Sequence, residues 1–175
     1  LTVTGLGFVA SSVVRWNGSP LTTTFVSATQ LGITLTVADL ANAGILKLAV
    51  FTPEPGGGTS AELNFTVGNP SPTLTSLSPA TVFAGGAAFT LTINGTGFVS
   101  GSIVRMNGSD RATTLVNSTQ VTVAITPADI ANAGTAKFTI FNPAPQGGLS
   151  NELSLAINNP TPGNPTLSQP TVTTG

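Results

Sequence analysis

The chain has 175 residues, a formal net charge of -1 and only 6% charged residues, against a usual share of about 25%. So weak a field gathers no polyanion, which argues against nucleic acid as a partner. With no His and no Cys a nucleophile would lack its usual base, and the acids Asp39, Glu54, Glu62, Asp110, Asp129 and Glu152 form no tight pair, so catalysis is not expected and the chain reads as a non-enzyme without cofactor.

The elements run in chain order as two copies of one pattern. Residues 5–70 recur without a gap at 95–160: Gly5/Gly95, Phe8/Phe98, Arg15/Arg105, Asp39/Asp129, Gly44/Gly134, Phe51/Phe141 and Asn69/Asn159 keep one offset, and roughly half of the aligned positions are identical. Each copy is about 90 residues long, enough for a core of its own. In the first, a short strand holding Val14 and Trp16 runs into Asn17-Gly18, a dipeptide that supplies the positive φ angles of a tight hairpin. Strands through Leu31, Ile33 and Leu35, then Leu48 and Val50, then Leu63, Phe65 and Val67 alternate apolar with polar. Between them Thr36-Val37-Ala38-Asp39, closed by Gly44, reads as a capped single helical turn. The run Pro53–Gly58 reads as a stiff exposed loop, and Asn69-Pro70-Ser71-Pro72 as a short extended linker.

The second copy repeats each feature. Phe89, Leu91 and Ile93 open it, Asn107-Gly108 turns it, Val121, Val123 and Ile125 follow, and Thr126-Pro127-Ala128-Asp129 with Gly134 repeats the capped turn. Ala136, Phe138 and Ile140, the loop Pro143–Gly148, and Leu153, Leu155 and Ile157 complete it. Between copies the expected core stays apolar (Leu31/Val121, Ile33/Val123, Leu35/Ile125, Leu48/Phe138, Val50/Ile140, Leu63/Leu153, Phe65/Leu155, Val67/Ile157), whereas Pro20/Asp110, Leu21/Arg111 and Glu54/Ala144 change freely.

Gly-x-Gly-Phe (Gly5, Gly7, Phe8; Gly95, Gly97, Phe98), the Val-Arg-x-Asn-Gly hairpin, and Asn-Pro-x-Pro-x-Gly-Gly before the last strand, with Thr52 in place of Asn142 in the first copy, together resemble the bacterial IPT/TIG family. The resemblance implies an all-β chain of two tandem immunoglobulin-like sandwiches. It implies little about activity, since members serve as spacers, adhesin stalks, receptor modules and parts of transcription factors. The expected domains are 1–69 and 70–160, with 161–175 as linker and a further edge strand.

The copies are cut unequally. Before its Leu91 strand the second carries Pro72–Gly85, with Leu74, Leu77 and Val82, the opening edge strand of a sandwich. The first copy starts at Leu1 and lacks it, while Pro165–Gly175 repeats its pattern Leu-Ser-x-x-Thr-Val-x-x-Gly. The first sandwich should therefore offer an acceptor edge at Leu1, Val3 and Gly5, and Leu167, Ser168, Thr171 and Val172 should act as donor strand for the next unit. The expected partner is the chain itself, as separate head-to-tail subunits or as neighbouring repeats of one longer polypeptide. Leu1 is no initiator and no apolar run approaches the roughly 20 residues of a membrane span, so the chain reads as a piece of an extracellular or cell-surface protein.

Other features have plain structural readings. Asp39 and Asp129 read as turn caps, and Arg15/Arg105, Lys47/Lys137 and Glu62/Glu152 as cross-strand charges. Trp16, matched by Met106, reads as core. No Asp-x-Asp-x-Asp run suggests a metal site. Asn64, Asn94, Asn107 and Asn117, with Asn17, lie in Asn-x-Ser/Thr and are candidate glycan acceptors. The competing functions are a carbohydrate-binding or adhesive module using Pro53–Gly58 and Pro143–Gly148, and a spacer in a large secreted enzyme.

Overall fold

A computed structural model of the chain describes residues 1–166, and the donor positions Leu167, Ser168, Thr171 and Val172 lie outside them. The fold is all-β and built of immunoglobulin-like sandwiches, in two compact units: Leu1–Ser71 with Asn142–Gly148, and Pro72–Phe141 with the described residues from Leu149 onward.

The first sandwich contains β1 (Thr2–Thr4), β2 (Val13–Trp16), β3 (Ser19–Pro20), β4 (Thr23–Ser27), β5 (Gln30–Ile33), β6 (Gly44–Thr52), β7 (Gly58–Thr59) and β8 (Leu63–Val67). One sheet has the order β1-β5-β4; in the other β3-β2-β6 continues to β7 and β8, which share the far side of β6. Inward residues of both sheets meet in a core of Val3, Phe8, Val14, Trp16, Leu31, Ile33, Leu48 and Val50. Trp16 sits as its core reading requires, its ring 5.2 Å from that of Phe65.

The second sandwich adds a segment at its start. Its strands are β9 (Thr73–Ser78), β10 (Thr81–Phe83), β11 (Phe89–Thr96), β12 (Ile103–Met106), β13 (Ser109–Arg111), β14 (Thr113–Asn117), β15 (Gln120–Ile125), β16 (Gly134–Asn142), β17 (Gly148–Leu149) and β18 (Leu153–Asn158). They form the sheets β14-β15-β11-β9 and β13-β12-β16-β18-β10, with β17 on β16. The expected single edge strand is thus two strands. β9 lies antiparallel on β11 in the first sheet, and after Ser78 the chain crosses to lay β10 parallel on β18 in the second.

The turns follow their residues. Asn17 and Gly18 have φ of 47° and 85°, Asn107 and Gly108 51° and 84°, the pair of positive angles that matches strand twist in a two-residue hairpin. Each Asn also accepts the amide of Lys47 or Lys137 at 2.8 and 2.9 Å, which ties the turn to the strand beside it.

Two expectations need correction. Thr126 and Asp129 cap a 3-10 turn, Pro127–Ile130, but Thr36–Asp39 makes only an irregular turn although Thr36 N and Oγ1 donate to Asp39 at 2.7 Å. The first copy has Val37 where Pro127 presets the backbone, and Leu40 is 45% exposed where Ile130 is 1% exposed, so no burial holds the turn down. Leu63 likewise is not core. It is 62% exposed, because no strand equivalent to β9 and β10 covers that side of β8 among the described residues.

Candidate functional site

In the second sandwich β9 and β10 fill one side of both sheets. Leu77 stands opposite Ile93 and Leu74 opposite Gly95, with a bulge between Asn94 and Gly95, while Val82 lies beside Ile157. Gly95 is required there, since a Cβ would overlap the Thr73 carbonyl oxygen. Asn151 finishes the closure: its Oδ1 accepts the Leu74 amide at 2.8 Å and its Nδ2 donates to the Leu74 carbonyl at 3.1 Å.

The same positions in the first sandwich are open. Val3 and Gly5 stand where Ile93 and Gly95 do, and Val67 where Ile157 does, yet among the described residues β1 pairs only with β5, and β8 only with β6. The unpaired sides of β1 and β8 face a groove of about 210 Å³ lined by Leu1, Val3, Leu48, Leu63, Asn64 and Phe65. Leu1 is 57% exposed. Leu1, Val3 and Gly5, the residues expected to accept a strand, lie together along one sheet edge, and Leu63 and Phe65 of the other sheet line the same groove. That second edge has no sign of its own in the sequence, since Leu74, Leu77 and Val82 are apolar whether they form one strand or two.

The remaining candidates are already engaged in structure. Lys47 lies 3.5 Å from Glu62 and Lys137 2.9 Å from Glu152, exposed pairs worth about 0.2–1 kcal/mol each. Arg105 meets Asp110 at 2.7 Å, whereas Arg15, opposite Pro20, stacks on Phe51 at 3.8 Å from the ring centre. Arg111 is not the freely varying surface residue its change from Leu21 suggested: it bonds Asp129 and covers the Met106 sulfur at 3.4 Å. Burial pushes the Asp129 carboxyl up, but hydrogen bonds from Arg111 and from the amide and hydroxyl of Thr126, with the Arg111 charge, hold it below its ordinary value. Asp39 is also lowered, by the Thr36 amide and then the Thr36 hydroxyl.

Of the candidate glycan acceptors, Asn17 and Asn107 serve their hairpins as described above. Asn94 donates to Ser76 Oγ and accepts from Gln120, and Asn117 Oδ1 accepts from Thr119. Asn64 lies exposed in the groove wall. Among the described residues no group of His, Cys, Asp and Glu is placed to hold a metal ion, and no helix is long and apolar enough to cross a membrane.

The two Pro-Gly loops differ in exposure. Pro53–Gly58 is exposed throughout, but Pro143–Gly148 is largely half-buried, because within the first compact unit the segment Asn69–Ser71 clasps it. The Asn69 amide donates to Pro145 O at 2.8 Å and its Nδ2 to Pro143 O at 2.9 Å, while its carbonyl accepts from Gly147 N at 3.0 Å. Ser71 Oγ donates to Gly147 O at 3.1 Å, and the buried Asn142 donates from Nδ2 to Pro70 O at 2.9 Å.

Comparison with known proteins finds one matching family. Residues 72–157 match the model of the IPT/TIG domain family. No curated protein matches the chain. Solved structures that resemble it include the titin domains Z1Z2 in complex with telethonin (18% identity over 86% of this chain and 82% of that one, TM-score 0.36). Another is Dpr2 Ig1-Ig2 in complex with DIP-Theta Ig1-Ig3 (15% identity over 87% and 86%, TM-score 0.34). The matched residues span the second sandwich, which is similar to an IPT/TIG domain, and the first sandwich repeats the same motifs.

Proposed function

We propose that the chain is a structural repeat unit of an extracellular bacterial filament or surface stalk, whose units join head to tail by strand complementation. One observation carries the reading: the side of the sandwich that β9 and β10 fill in the second copy has no strand on it in the first among the described residues. The pattern of Leu77–Gly85 recurs at Leu167–Gly175 with the offset of the repeat itself. On that alignment Leu167 of one unit takes the place of Leu77 opposite Val3 of the next, and Val172 takes that of Val82 beside Val67. Ser168 and Thr171 repeat in sequence Ser78 and Thr81, which bracket the crossing between the two sheets of the second sandwich. Each buried Leu or Val contributes about 1.5–3 kcal/mol, and the strand ladders satisfy backbone groups that an open edge leaves to water. Donor and acceptor are different surfaces, so each addition leaves a new free end and the assembly grows as a filament or stalk. A surface poor in charge and rich in Thr, Ser and Asn suits an extracellular setting.

Replacing Leu167 and Val172 together with Asp tests the mechanism. Sedimentation velocity of the full chain is expected to show assembly of the parent protein and monomers of the variant, with the second sandwich still folded. Assemblies that survive the change refute strand donation. On a denaturing gel, native material made of separate subunits runs near 17.4 kDa, whereas a far larger band places the same contact within one polypeptide.

A further inference from the structure

Among the described residues the clasp on Pro143–Gly148 has no counterpart on Pro53–Gly58, although both halves of it recur in the chain. Asn159, Pro160 and Thr161 repeat Asn69, Pro70 and Ser71 with the hydroxyl kept, and all three are exposed. The first loop shares part of the second's backbone: Gly56 and Gly58 have φ of 79° and 145° where Gln146 and Gly148 have 57° and 111°, while the glycine between them differs, Gly147 standing at 66° and Gly57 outside the left-handed region. In both loops the following glycine packs tightly, since a Cβ on Gly57 would strike the carbonyls of Thr52 and Pro53, and one on Gly147 those of Asn142 and Pro143. A groove of about 290 Å³ lies beside the first loop, lined by Phe8, Thr52 and Gly56–Ser60.

We infer that Pro53–Gly58 is a second docking site for another copy of this chain, which it grips at Asn158–Thr161 as Pro143–Gly148 grips Gly68–Ser71. The inference rests on the head-to-tail reading and adds a polar grip to the apolar strand. The occupant is specified by a reciprocal exchange of size. In the internal clasp a Cβ on Gly68 would overlap the Gln146 side chain; at the proposed site the equivalents are Asn158 and Gly56, so the bulk has moved to the opposite partner and the fit is preserved. The backbone carbonyls of Pro53 and Pro55 would receive Asn159, and Gly57 would receive Asn159 O and Thr161. One bond of the clasp is not repeated, since Thr52 replaces Asn142 and its hydroxyl meets Ser12 Oγ at 2.9 Å.

Sedimentation velocity of full-length variants tests it. Gly56→Gln restores the side chain that Gly68 makes room for and should weaken self-association about tenfold; adding Asn158→Gly should return it to the parent value. Asn159→Ala, on an exposed tail segment, should weaken it several-fold without touching the fold. Unchanged association in Gly56→Gln and Asn159→Ala, with loss in the Leu167→Asp, Val172→Asp variant, overturns the loop site and leaves strand donation standing. A parent chain that stays monomeric at every concentration overturns both.

Discussion

Arg111 and Asp129 show how one side chain can serve packing and charge together. The guanidinium covers Met106 and binds a carboxylate that is only 11% exposed, so removing it strips the charged acceptor of its partner in a site water reaches poorly. Arg111→Ala is expected to destabilise the second sandwich by about 2 kcal/mol, read as a lower urea midpoint for that transition. The lowered pKa of Asp129 fixes the pH dependence. Because the folded state holds the carboxyl below its ordinary 3.8, the unfolded chain takes up the proton first. The stabilisation is therefore complete above that value and is lost as pH falls through the folded pKa. Urea midpoints between pH 5 and pH 2 should fall for the parent chain and fall less steeply for Asp129→Asn.

At the scale of elements, the glycines facing β9 separate closure from fold. Gly95→Ala drives a methyl into the Thr73 carbonyl and the Phe98 ring, while at Gly5 the same methyl meets only Phe8. Gly95→Ala is therefore expected to cost the second sandwich about 1–3 kcal/mol more than Gly5→Ala costs the first, by chemical denaturation. Gly5→Ala should instead impair assembly, because the incoming strand needs the room β9 takes beside Gly95. Much of this was legible in the sequence. The alternation of Leu91 and Ile93 and of Phe138 and Ile140 gave strands and inward faces directly, and the unequal ends of the two copies located the open edge. The division of 72–85 between two sheets was not legible, since Leu74, Leu77 and Val82 are apolar whichever sheet they join. Arg111 was missed for a related reason: its acceptor lies on the capped turn, a contact no local pattern encodes. Leu63 keeps its apolar character without being buried, since no strand covers that side of β8 among the described residues.

For the whole molecule, the difference between the sandwiches becomes a difference in stability. The second core holds Leu74, Leu77 and Ile130, each at most 8% exposed, whereas the first has no described residue at the places of Leu74 and Leu77 and leaves Leu40 in water. The first sandwich should therefore melt first. Trp16 reports on it alone, being the single Trp of the chain and part of the first core, while far-ultraviolet circular dichroism follows both sandwiches. In the monomeric Leu167→Asp, Val172→Asp variant the Trp fluorescence transition is expected below the second dichroism transition. Strand donation buries two apolar side chains on the first sandwich, several kcal/mol by area, and a domain of this size gains about 4–8 °C per kcal/mol. In assembled parent protein the Trp transition should accordingly rise by about 10 °C or more and depend on protein concentration, as stabilisation by a bound partner requires. A Trp transition at one temperature in variant and parent would mean that nothing enters the groove between β1 and β8.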